Sequence, residues 1–141
     1  MKKESYFNTA MALEQIIADQ MEIGAEFSDA FFDPKSELIC RVHEFDDCSE
    51  YQALIFSGKL RLVPPICSQD LYLWMKEYAD SAQPMTVRFQ LQNALNGIGA
   101  VWKFRNVLYH DPSTSEDWDQ FKRKKLVSIA KEWLEYMRLS A

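Results

Sequence analysis

The residues best suited to chemistry lie between Gly97 and Leu134, in GIGAVWKFRNVLYHDPSTSEDWDQFKRKKLVSIAKEWL, which holds three of the four tryptophans. Interleaved with them are Lys103, Arg105, Lys122, Arg123, Lys124 and Lys125. A cation over an aromatic face, or a guanidinium beside one, can hold an anion or a peptide carboxylate. If the two helices of this stretch pack antiparallel through their short connection, Arg105 and Lys122 converge near Trp118. The candidate binding residues are therefore Trp102, Lys103, Arg105, Tyr109, Lys122 and Arg123. The plainer alternative makes Trp118 and Phe121 core, lets Lys122 snorkel, and pairs Arg105 with Asp117 or Asp119.

Other constellations are weaker. Cys40, His43, Cys48 and Cys67 follow C-x2-H-x4-C-x18-C, which superficially suits tetrahedral zinc, but strand alternation sends Cys40 and His43 to opposite faces. His110-Asp111 matches metal-dependent phosphohydrolases by dipeptide alone, with His43 the only other histidine, so a helix-terminal histidine is the better reading. Cys67 precedes a helix start, where the dipole favours a thiolate, yet no base is placed for it. Gly97-Ile98-Gly99 lacks the longer spacing of a phosphate loop and follows a helix, so it serves tight turning. No catalytic residue, metal set or cofactor is assigned.

The elements that must carry these residues follow from periodicity. Tyr6, Ala10, Leu13, Ile17 and Met21 recur every three or four positions, predicting a helix over 5–23 that Ser5 caps and Gly24 stops. Residues 26–65 form the sheet region. Phe27 to Val42 reads as a β-hairpin around a type I turn at Asp33-Pro34-Lys35-Ser36, and Lys59 to Val63 as a third strand ended by Pro64-Pro65. The acidic stretch Glu44 to Glu50 reads as a turn. Tyr51 to Phe56 stays open between helix and strand, with a lean to helix.

Residues 68–139 read as helical. Ser68 and Asp70 open a helix with Leu71, Trp74, Met75, Tyr78 and Ala82 in a stripe. Pro84 starts the next, with Val87, Leu91, Ala94 and Leu95 inward and Gly97 as its stop. Ala100 to Tyr109 follows and is ended by His110-Asp111-Pro112. A capping box at Ser113 and Glu116 opens the last helix, whose apolar face comprises Trp118, Phe121, Leu126, Ile129, Trp133 and Met137. Lys122 falls near the middle of that arc and Lys125 between Trp118 and Phe121, which is the sharpest local contradiction in the chain.

With 141 residues, 48% apolar and 13% aromatic, the chain can build one proper core, and one domain over 1–141 is expected. A net charge of −5 argues against coating nucleic acid, because counterion release needs clustered cations. No apolar run is long enough for a signal peptide or membrane span, so no membrane association and a cytoplasmic location are expected. Three cysteines, an odd number at low density, fit reduced thiols.

The sequence resembles the bacterial uncharacterised protein family 0158. Four stretches carry the likeness: Phe31-Phe32-Asp33 with its turn; Leu60-Arg61-Leu62-Val63-Pro64-Pro65; Gly97-Ile98-Gly99-Ala100 running into Phe104-Arg105-Asn106-Val107-Leu108; and Trp118 through Phe121-Lys122 to Glu132-Trp133-Leu134. The family pattern has an aromatic at Val101, a lysine at Arg105, an acid at Asn106 and an arginine at Lys122, so charge is kept at positions 105 and 122. The resemblance implies a small cytoplasmic bacterial protein of unknown function.

The expected fold is α+β: an N-terminal helix, a small antiparallel three-stranded sheet, and a C-terminal group of about four helices on one sheet face. The leading functional expectation is a non-enzymatic binding or regulatory module acting through the last two helices on a protein partner or a second copy of the chain. The alternative is a small-molecule or anion-binding enzyme using Arg105 and Lys122; a nucleic-acid-associated regulator comes third.

Overall fold

The computed structural model describes residues 12–23, 30–41 and 48–140. Among them are six helices and one three-stranded sheet, an α+β arrangement with its helices concentrated toward the C-terminus. The chain groups into two compact units, Met1–Ile66 with Leu126–Ala141, and Cys67–Lys125.

The first unit begins with α1, Leu13–Ile23, which buries Ile16, Ile17, Ala18 and Met21. The amide oxygen of its buried Gln20 has a partner: Gln20 Oε1 accepts a hydrogen bond from Arg41 Nη2 at 2.6 Å. Ser5, Tyr6, Ala10, the stop at Gly24, the hairpin's first residues and the strand's continuation to Val42 and His43 lie outside the described residues. Strands β1, Ala30–Asp33, and β2, Leu38–Arg41, pair antiparallel with Phe31 opposite Cys40 and Phe32 opposite Ile39. The two-residue β3, Arg61–Leu62, joins the other side of β1, giving the order β2-β1-β3.

The hairpin turn is one residue longer than the sequence suggests. Asp33 O accepts from Glu37 N at 2.8 Å, and Glu37 takes a left-handed φ of +57°. The Asp33 carboxylate also accepts from Lys35 N at 3.0 Å, so the aspartate does hold the turn, but the loop closes at Glu37 and not at Ser36.

Alternation along the strands divides the sheet into two apolar faces. Phe31 and Cys40 cluster with Leu60 on one face, covered by Leu54 and Ile55 of α2, Cys48–Phe56. Tyr51 to Phe56 is thus helical. Phe32 lies on the other face, its ring meeting that of Trp133 edge-on with centroids 5.5 Å apart.

The second unit contains α3, Ser68–Ser81, α4, Met85–Ala94, and α5, Ala100–Tyr109. The last helix, α6, Pro112–Leu139, gives residues 112–125 to this unit and 126–139 to the first. Of the expected stripe Leu71 is half-buried, while Trp74, Met75 and Tyr78 on α3 and its C-cap Ala82 are buried, with Ala79 beside them. Val87, Leu91, Ala94 and Leu95 are buried likewise. Gly97 and Gly99 have φ of +78° and +76°, a conformation that favours glycine and allows the short reversal between α4 and α5.

Both expected helix starts shift by one or two residues. Cys67 and not Ser68 is the N-cap of α3: its Sγ accepts from Asp70 N at 3.4 Å while Ser68 is already helical. In α6 the cap is Asp111, whose Oδ1 accepts from Thr114 N at 3.2 Å, and Pro112 occupies the first helical position, where its missing N–H costs nothing. The capping box at Ser113 is therefore not formed. Ile129 is also displaced from the core. The buried line of the second half of α6 runs Leu126, Ala130, Leu134 and Met137, and Ile129 lies about 100° from Ala130 on the helical wheel, exposed.

Candidate functional site

Helix α5 has one inward and one outward face. Phe104 and Leu108 are buried, and the Phe104 ring meets Trp118 at 5.1 Å in an edge contact. Trp102, Arg105 and Tyr109 follow one another at three and four positions, within about 60° of each other on the wheel. All three are exposed, Trp102 at 70% and Tyr109 at 82%. Tyr109 packs edge-on against His110, which ends the helix as its C-cap. Lys103, next to Trp102, is exposed and donates from Nζ to Asn96 O at 3.3 Å, so its charge is spent on the turn before α5.

The inward side is an aromatic cluster. Tyr78 lies 5.5 Å from Trp118 and 5.4 Å from Phe121, and Trp118 stacks on Phe121 at 6.0 Å. Lys122 is half-buried with its Nζ 6.0 Å above the Trp118 ring. A lysine in an apolar arc is tolerable when its stem packs and its head meets a π face. Lys125 does the same over Phe121 at 5.4 Å and also pairs with Glu77 Oε2 at 2.8 Å. Arg123 is half-buried, and Lys124 is exposed.

Arg105 and Lys122 therefore have different settings. Lys122 lies over the indole that Phe104 touches, whereas Arg105 is turned about 100° from Phe104 along the wheel and shares its face with Trp102 and Tyr109. Asp117, one of the two expected partners of Arg105, instead accepts from the Tyr78 hydroxyl at 2.8 Å, and Thr114 O is a longer acceptor at 3.3 Å. Among the described residues Arg105 meets no carboxylate.

Burial pushes the Tyr78 phenol above its ordinary 10.0, and the hydrogen bond and charge of Asp117, with the charge of Asp111, push the same way. The phenol is thus a fixed donor. Nearby, Gln83, Ser113, Glu116 and Gln120 line a polar hollow of about 200 Å³ with Tyr78, Thr114 and Asp117. Among the described residues no nucleophile is hydrogen-bonded to a base there. Cys67 is exposed and its sulfur is engaged as a helix cap, while Cys40 is buried against Phe31 and Leu60. His43 lies outside the described residues, and among those described no cluster of three or more His, Cys, Asp or Glu side chains could hold a metal.

A concave feature of the first unit was not foreseen. Lys35, Lys59 and Arg61 line a cleft of about 360 Å³ whose apolar lining includes Leu54, Leu60 and Met137. Lys59 and Arg61 alternate with leucines in the sequence, which marks a strand with one cationic face. Bringing Lys35 beside them needs the pairing of β3 with β1, which no local pattern announces.

No family model, curated protein or solved structure matches the chain. Among the described residues no helix is long and apolar enough to cross a membrane.

Proposed function

We propose that the protein is a non-enzymatic binding module whose contact surface is the outer face of α5. The observation that carries this reading is the exposure of Trp102 and Tyr109 on either side of Arg105 along one helical face. Trp, Tyr and Arg are the side chains that most often dominate binding energy when an interface covers them. Two large rings left in water on a helix whose other face is packed contribute nothing to the core. The guanidinium between them adds charge selectivity, so the partner is a protein segment presenting a carboxylate between apolar side chains.

Affinity capture and light scattering on wild type and Trp102→Ala test it. Because Trp102 is a surface residue, its removal is expected to alter stability by no more than about 0.5 kcal/mol. Wild type should retain an identified acidic partner, or form a dimer, and the variant should lose it. A strictly monomeric wild type that retains no partner overturns the reading.

A further inference from the structure

The cleft of the first unit lies where the hairpin turn, the segment linking α2 to β3 and the C-terminal end of α6 meet. Each wall is fixed by interactions of its own. Arg138 grips Glu37 through two hydrogen bonds, 2.7 Å and 2.8 Å, which ties the end of α6 to the turn beside Lys35. After α2 the chain reverses at Gly58, φ +77°, with Lys59 N and Leu60 N both donating to Leu54 O at 3.0 Å and 3.1 Å. Arg61 Nε donates to Gly58 O at 3.2 Å, which orients the guanidinium along that loop.

The charge of this cleft opposes that of the whole chain. Among the described residues, Lys35, Lys59 and Arg61 line the cleft with one carboxylate, Asp33, in a protein whose net charge is −5. Glu37 is held by Arg138 and is not among the lining residues. Among the described residues neither Lys35 nor Lys59 has a carboxylate paired with its ammonium group. Three cations against one anion among the described lining residues give a surplus of two positive charges, beside an apolar wall of Leu54, Leu60 and Met137.

We propose that this cleft binds a small phosphate monoester with a short apolar body. The dianionic head, nearly fully ionised at neutral pH, matches the surplus of two charges; the guanidinium and two ammonium groups supply charge-assisted donors. The apolar wall takes the body. A volume of about 360 Å³ admits a metabolite-sized molecule and lies within the roughly 300–1,000 Å³ of ligand pockets. This site shares no residue with the α5 face and stands independently of that reading.

Calorimetric titration with hexyl phosphate, hexanoate, hexanol and inorganic phosphate tests it, on wild type and on Lys35→Gln/Lys59→Gln. Both lysines are exposed, so the double variant should keep the wild-type melting temperature. Hexyl phosphate should bind saturably, about tenfold or more tightly than hexanoate or inorganic phosphate, with hexanol silent, and weaken about tenfold or more in the variant. In wild-type protein, amide NMR shifts on adding hexyl phosphate should concentrate at Lys35 and residues 57–61, a readout independent of any variant. No saturable hexyl phosphate binding, equal binding of hexanoate, unchanged affinity in the variant, or shifts elsewhere would each overturn the proposal. So would binding to phosphatidic acid vesicles without binding to soluble hexyl phosphate, which would make the surface a membrane contact instead.

Discussion

Arg138 holds Glu37 across 101 positions of sequence, with Nε donating to Oε2 at 2.7 Å and Nη2 to Oε1 at 2.8 Å. Glu37 is also the residue whose φ of +57° closes the hairpin turn, a conformation that glycine or asparagine would adopt more cheaply. Its side chain explains the choice: only a long carboxylate accepts both arms of the guanidinium. Those hydrogen bonds hold the Glu37 carboxyl below its ordinary 4.5, against the smaller opposing effect of burial. A depressed carboxylate stabilises the fold above its unfolded pKa and loses that contribution as pH falls through the folded value. Glu37→Gln should therefore lower the urea midpoint at pH 7 but match wild type near pH 3. Both side chains are partly exposed, so the gap should be small and shrink in high salt. A gap that ignores pH and salt would count against the clamp.

Tyr78 gives the opposite dependence. Its proton is held more tightly in the folded protein, first by burial and then by the hydrogen bond to Asp117. The stability this contributes is complete below the unfolded value near 10 and is lost as pH rises through the folded one. Tyr78→Phe should cost about 1–2 kcal/mol at pH 7, the scale of a hydrogen bond to a charged group reduced by the exposure of Asp117. Between pH 9 and pH 11, wild type should lose stability more steeply than the variant. Equal slopes in denaturant titrations would show that the phenol does not titrate with folding.

Period and turn chemistry made most of the fold legible, since each acts over a few residues. The stripe Trp74, Met75, Tyr78 and the set Val87, Leu91, Ala94 are buried as their spacing implies, and three strands pair antiparallel. Helix starts were harder, because Cys67 is a weak acceptor rarely counted as a cap and Ser68 beside it is a good one. Ile129 shows a different limit: a helix contacting more than one surface has no single apolar arc, and small Ala130 fills the line where Ile129 was expected. Lys122 looked misplaced only because spacing carries no information about an indole beneath it. The exposure of Trp102 could not be read either, since a tryptophan three positions from Arg105 has the same spacing whether it faces water or core.

Cys67 offers a direct test of that cap. Sulfur accepts weakly even at its 3.4 Å contact with Asp70 N. Cys67→Ser should place a better acceptor in the same position and raise stability by about 0.5–1 kcal/mol, while Cys67→Ala should lower it slightly. Because Cys67 is exposed and Cys40 is buried, alkylation of the native protein should modify Cys67 and spare Cys40. If serine and alanine shift the melting temperature equally, the sulfur is not acting as a cap.

Phe32 and Trp133 give the largest expected effect. Phe32 is fully buried on the middle strand of the sheet, and its ring meets Trp133 at 5.5 Å with the planes 65° apart. Phe32→Ala removes the apolar area and leaves a cavity, so a loss of about 3–5 kcal/mol is expected, a large part of the roughly 5–15 kcal/mol that holds a domain folded. The edge contact itself is separable from this burial. In a double-mutant cycle with Phe32→Leu and Trp133→Leu, the two changes should couple by about 0.5–1.5 kcal/mol. Additive changes would mean that the rings share the core of the first unit without recognising each other, and that sheet and helix are joined there by buried area alone.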